Sequence, residues 1–154
     1  MTEIVRTVHV DAPPTAVWAV LEDVRRLPEL SPSTVAVDGP PRLAAVGDRF
    51  DQTVRLAGRR FRSTWEVVAI EPGRRLVVRG SVLPGTRYEI EQRVEADPGG
   101  SCLEVRLRWR LPFGPIGRLA GRLGAERRAV DEAAEVAAGI RRAAEGDRAV
   151  EAAR

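Results

Sequence analysis

The residues able to do chemistry in this chain are few, and their types already narrow the options. His9 is the only histidine, Cys102 the only cysteine, and every basic side chain is an arginine. A zinc cluster, an intrachain disulfide, a lysine Schiff base and most histidine-based triads therefore lack their parts. What remains is chemistry by orientation: a few polar groups aimed at a ligand in apolar surroundings. The candidates are Arg6, Tyr88, Gln52, Ser63 and Gln92, with Trp65 and Trp109 as wall. Arg6 can hold a carboxylate or an enolate. Tyr88 can donate a hydrogen bond or act as an acid. Gln52 and Gln92 are uncharged and suit binding better than catalysis. No carboxylate pair shares an inward position, which argues against glycosidase-type acid/base work. The glycines at 114, 117, 121 and 124 lack the lysine of a phosphate loop.

Those candidates are picked by the parity of the elements that carry them. Thr7-Val8-His9-Val10 meets Pro13-Pro14 and turns into an amphipathic helix, because strands reject interior proline and a helix accepts it in its first turn. Ile4, Arg6, Val8 and Val10 share the inward parity of that first strand, whereas His9 faces outward. A second short helical piece, Val24 to Leu30, ends at Ser31-Pro32. A short strand follows around Val35 and Val37. Then come runs in which Phe50-Gln52-Val54-Leu56, Phe61-Ser63-Trp65-Val67-Ala69, Leu76-Val78-Gly80, Tyr88-Ile90-Gln92-Val94 and Leu103-Val105-Leu107-Trp109 alternate with charged residues. Turn signals such as Ala57-Gly58 and Glu71-Pro72-Gly73 separate them. This describes an antiparallel meander of six strands with one face buried. Asp51 and Glu66 fall on the outer face.

From Pro115 the period becomes helical. Ile116, Leu119, Leu123, Val130, Ala133, Ala137 and Ile140 recur at three- and four-residue steps, and Leu119, Leu123 and Val130 are candidates for lining a ligand site from the helix side. Gly146 is the expected stop, which gives a helix of around 40 Å. The expected organisation is one domain over residues 1–146 and a tail over 147–154. Gly117, Gly121 and Gly124 weaken the first half of this helix and would let it flex as a gate or allow close approach. Arg118, Arg122, Arg127 and Arg128 give the same half a basic face. Arg127 with Asp131 and Arg128 with Glu132 have the spacing of surface pairs.

The order of elements, and several short motifs within it, resemble a known superfamily. The motifs are Val8-His9-Val10-Asp11-Ala12-Pro13-Pro14 with Val17-Trp18, Leu27-Pro28-Glu29-Leu30-Ser31-Pro32, Val46-Gly47-Asp48-Arg49-Phe50, and Ile70-Glu71-Pro72-Gly73-Arg74-Arg75-Leu76. They resemble the START-related polyketide cyclase/dehydrase and lipid-transport proteins, which include the birch-pollen-allergen type. Leu30 is a departure, where many relatives carry tryptophan. The resemblance implies an α+β helix-grip fold: a curved antiparallel sheet of about seven strands wrapped around a long C-terminal helix, with two short helices after the first strand. It also implies an apolar cavity between sheet and helix, used by relatives for lipids, sterols, quinones or polyketides, and no metal or nucleotide cofactor.

Three functional expectations follow. The first is binding of a hydrophobic small molecule, lipid or polyketide-like. The second is cyclase/dehydrase catalysis in the same cavity, with Arg6 and Tyr88 polarising a carbonyl. The third is docking to a membrane surface or an acidic carrier protein through the arginine-rich helix. The net charge of +3 is modest and the aromatics few, so nucleic acid is not an expected partner. A cytoplasmic location is expected, since neither end has a signal-peptide pattern. The oligomeric state is open between monomer and homodimer.

Overall fold

The computed structural model describes residues 2–82, 84–110 and 115–154, the last stretch with side chains from Arg127 onward. β1 spans Thr2–Val10, α1 Pro14–Glu22 and α2 Leu27–Leu30, with a single 3-10 turn, Val24–Arg26, between the helices. Then come β2 Thr34–Asp38, β3 Arg49–Leu56, β4 Arg59–Glu71, β5 Arg75–Ser81, β6 Arg87–Asp97 and β7 Gly100–Arg110, and finally α3 Pro115–Ala152. The strands form one antiparallel sheet in the order β1-β7-β6-β5-β4-β3-β2. This is the helix-grip arrangement. β2 to β7 run as a meander, and β1 closes onto β7.

Local chemistry explains the corners. The β3–β4 hairpin turns at Ala57 and Gly58, both with positive φ (49° and 76°). Two consecutive left-handed residues match the twist of a tight hairpin. The β6–β7 turn brings Gly100 against the backbone of Val10, where the carbonyl oxygen leaves no room for a Cβ. Ser101 donates to the Ala12 carbonyl at 2.6 Å, which fixes the β1–α1 corner to β7.

One face of the sheet is apolar and the other is a ladder of charges. On the outer face Glu91 has its side chain only 3% exposed and accepts from Arg75 at 2.7 Å and Arg93 at 2.6 Å. Burial raises its pKa, but those two guanidinium hydrogen bonds outweigh burial and hold it below the usual glutamate value. Arg79, Glu89, Arg108 and Glu3 continue the ladder.

Two expectations are corrected by the backbone. β4 carries a bulge between Val67 and Ala69, the partners of Val78 and Val77. One extra residue reverses the parity beyond it, so Ile70 rather than Ala69 packs against the core. Nor does α3 stop at Gly146. It continues to Ala152, roughly 57 Å at 1.5 Å per residue. The expected tail is partly fastened to the body: Arg26 bonds Asp147 at 2.6 Å, and Arg148 donates to the Asp11 carbonyl at 2.6 Å. Gly117, Gly121 and Gly124 fall within α3, but what surrounds them, and with it the expected gate, lies outside the described residues, as do the side chains of Arg118 and Arg122.

The seat of α3 is tight. A Cβ on Gly139 would stand 2.5 Å from the Leu30 carbonyl oxygen and 2.9 Å from its Cα. Only glycine lets α3 pass so close to the end of α2. Gly139→Ala gains about 1 kcal/mol of helix propensity but overpacks against backbone, a cost of about 1–3 kcal/mol or more. We expect a net loss of about 1–2 kcal/mol in denaturant unfolding. A variant more stable than the parent would show that α3 can ride away from α2.

Candidate functional site

The inward face of the sheet and the face of α3 opposite it do not meet everywhere. Between them lies a cavity of about 510 Å³, within the 300–1,000 Å³ typical of small-molecule sites. Its wall is built by alternation: Phe50 and Val54 of β3, Leu76 and Val78 of β5, Val105 and Leu107 of β7 all point into it. Val20 and Leu21 of α1 close one side, and Ala133, Val136 and Ile140 of α3 form the roof. Phe50 and Trp65 stack with centroids 6.4 Å apart and planes 11° from parallel.

Trp65 is positioned with care. It sits opposite Gly80 on β5, where an added Cβ would be 2.5 Å from the indole. Its indole N–H donates to Ser63 Oγ at 3.0 Å. The Ser63 hydroxyl in turn donates to the Gln52 carbonyl at 3.3 Å. The Gln52 amide reaches the other way and donates to Thr34 Oγ1 at 2.6 Å. This short chain of hydrogen bonds gives partners to the Trp65 indole, the Ser63 hydroxyl and the Gln52 side-chain amide within an otherwise apolar wall.

Of the residues expected from parity, Gln52, Trp65, Tyr88, Gln92 and Trp109 border the cavity. Ser63 is buried, 3% exposed, and stands behind the wall as the support of Trp65. Arg6 has the inward parity but does not border the cavity. It lies half-buried on the edge strand β1, which α3 packs against. Its guanidinium folds back to the Val5 carbonyl at 3.0 Å. Val130 is half-buried but off the cavity; the lining stripe of α3 is offset from it and runs through Ala129, Ala133, Val136 and Ile140. Leu119 and Leu123 have side chains outside the described residues. His9 is exposed on the outer side, between Asp97 at 3.0 Å and Asp11 at 3.1 Å. Its pKa is raised, chiefly by the hydrogen bond to Asp97.

The polar end of the cavity is built largely from residues that parity did not nominate. Glu132 of α3 accepts from the hydroxyls of Ser31, at 3.2 Å, and Ser33. Both serines follow α2, on either side of Pro32. Arg128, one turn earlier on α3, borders the same end. The expected Arg128–Glu132 surface pair is not formed among the described residues, because the Glu132 carboxylate turns inward to the serines. The available signal was its place in an apolar helical stripe, at i+3 from Ala129 and i−4 from Val136. Tyr88 faces this end. Burial first, and the Glu132 charge second, raise its pKa and keep the phenol protonated.

The profile of the family described as polyketide cyclase/dehydrase and lipid transport matches residues 1–145. The chain belongs to that family. An uncharacterized protein found in two strains of Mycobacterium tuberculosis is 39% identical over 70 residues, 44% of this chain and 49% of that protein. The chain thus aligns with about half the length of the curated relatives it matches. Among solved structures, the di-domain aromatase/cyclase StfQ of the steffimycin pathway superposes with a TM-score of 0.77 at 15% identity, over 96% of this chain and 51% of that one. The Zhui aromatase/cyclase of Streptomyces sp. R1128 gives 0.65 at 22% identity, over 95% and 92%. At such identities these two likenesses speak for the fold. Among the described residues no cluster of three or more His, Cys, Asp or Glu is placed to hold a metal. No described helix is long and apolar enough to cross a membrane.

The Ser63 hydroxyl is the only acceptor for the Trp65 indole among the described residues. Ser63→Ala leaves that buried N–H unsatisfied, at a cost of about 1–3 kcal/mol. Unfolding measurements should show the loss, and a neutral substitution would mean that Trp65 finds another acceptor.

Proposed function

We propose that this protein binds a hydrophobic small molecule, lipid or polyketide-like, in the cavity between the sheet and α3. The observation that carries the reading is the cavity itself: about 510 Å³, walled mainly by aliphatic and aromatic side chains, with few charged residues on its border. Apolar burial supplies the affinity, and the polar end fixes orientation. Family membership supports the same reading, since its description joins cyclase/dehydrase activity with lipid transport.

The test is titration with the neutral fluorophore N-phenyl-1-naphthylamine, together with mass spectrometry of any ligand that co-purifies. Saturation near one probe per chain is expected. Val136→Trp places a large ring in the cavity from the roof and should weaken probe binding about tenfold or more. Unaltered probe affinity in that variant would place the probe elsewhere and sink the reading.

A second reading, a cyclase/dehydrase-type enzyme, is favoured by one specific observation. Tyr88 borders the cavity with its pKa raised by burial and by the Glu132 charge, and a protonated phenol there could polarise a carbonyl or protonate a leaving hydroxyl. Arg6, the other expected participant, is not beside it. Under this reading Tyr88→Phe lowers turnover of a poly-β-ketone chain about a hundredfold and leaves probe binding intact. Equal turnover in the two proteins would remove Tyr88 from the chemistry.

A further inference from the structure

The charged end of the cavity has a definite hydrogen-bonding sense. Both serine hydroxyls converge on one oxygen of Glu132, its Oε1. The other oxygen, Oε2, has no hydrogen-bond partner among the described residues. An ionised carboxylate only accepts, and it can take about four hydrogen bonds. The serines also hold the carboxylate in place, being 3.2 Å from one another and joined through it. Asp23 also borders the cavity, but both of its carboxylate oxygens are paired with the Arg25 guanidinium, at 2.9 and 3.0 Å. Arg128 is the one cation bordering it among the described residues. It is exposed to solvent, where its field is screened by water and salt, whereas Glu132 is half-buried.

We propose that Glu132 is the specificity-determining residue of the cavity, selecting an uncharged apolar ligand that carries a hydroxyl and rejecting one headed by a carboxylate. This rests on the cavity being a ligand site. A ligand hydroxyl donates to the open Glu132 oxygen and can accept from the Tyr88 phenol, so one group on the ligand satisfies both side chains. A ligand carboxylate instead sets a second negative charge beside the first, and it has no proton to give. Burying a charge against a like charge is strongly unfavourable in a site of reduced dielectric. The arrangement reverses the preference that an inward Arg6 would have created.

The experiment is displacement of N-phenyl-1-naphthylamine by three ligands of one chain length: a long-chain alcohol, its fatty-acid methyl ester, and the free carboxylate. It is run at a pH of about 8, where the carboxylate is ionised. In the parent protein the alcohol should compete at about tenfold lower concentration than the carboxylate, with the ester between them. Glu132→Gln keeps the shape and removes the charge, so the gap should shrink to about threefold or less, mainly through better binding of the carboxylate. Circular dichroism checks that the variant is folded, and the parent's own ranking of ligands tests the proposal without it. A parent that prefers the carboxylate, or an ester that competes as well as the alcohol, overturns the proposal while leaving the cavity reading standing. So does an unchanged gap in the folded variant. Failure of the probe to bind at all overturns both.

Discussion

The height at which α3 crosses the sheet governs everything else in this molecule. That height is set where Gly139 lies on the backbone of Leu30, with no side chain between them. The same half of the helix is tied to the β1–α1 corner. Glu145 accepts from the Asp11 amide at 3.0 Å, and Arg148 reaches the Asp11 carbonyl. With these points fixed, the small residues Ala129 and Ala133 face large ones on the strands without filling the space between. Small side chains on the roof and aromatic ones on the wall leave a volume that neither surface fills. In a core that otherwise follows close packing, such a gap has to be constructed, and here it is constructed from a glycine contact and an alanine stripe.

The sheet makes that gap chemically quiet. Its outer face carries the arginine and glutamate ladder, and its inner face carries almost none of it. Charges on the outer face neutralise one another at close range, as Glu91 does between Arg75 and Arg93. The inner face is left to apolar groups and a few polar ones, several of them tied into the Trp65–Ser63–Gln52–Thr34 chain. Against this background Glu132, held by Ser31 and Ser33, is a half-buried carboxylate on a largely apolar border.

Much of this was legible from residue types and period. A one-sided antiparallel strand writes its facing directly into the alternation of its residues, so the wall residues of β3, β5, β6 and β7 could be named without coordinates. Parity failed where geometry beyond the strand decides. The bulge in β4 exchanges Ala69 for Ile70, and no residue around Val68 announces it. Arg6 has the right parity on the wrong strand, since β1 runs where α3 covers the sheet. Glu132 was hidden by a local pattern: its spacing from Arg128 reads as a surface pair, and its actual partners lie about a hundred residues earlier, beside Pro32. Local rules weigh neighbours along the helix. They carry no information about a corner that folds up against it.

The pairing of β1 with β7 bears on how the chain comes together during synthesis. Thr2 stands opposite Trp109 and Val10 opposite Ser101, so the first strand made has its sheet partner in the last. Until β7 emerges, β1 is an unpaired edge with apolar residues along one side, the kind of strand that recruits other chains. Non-local pairings of this sort slow folding, and α3, which covers the inner face, is made later still. The future cavity wall therefore stays uncovered until α3 has followed β7. The polar residues that alternate along β1, Glu3, Thr7 and His9 among them, keep that waiting strand from being apolar on both sides.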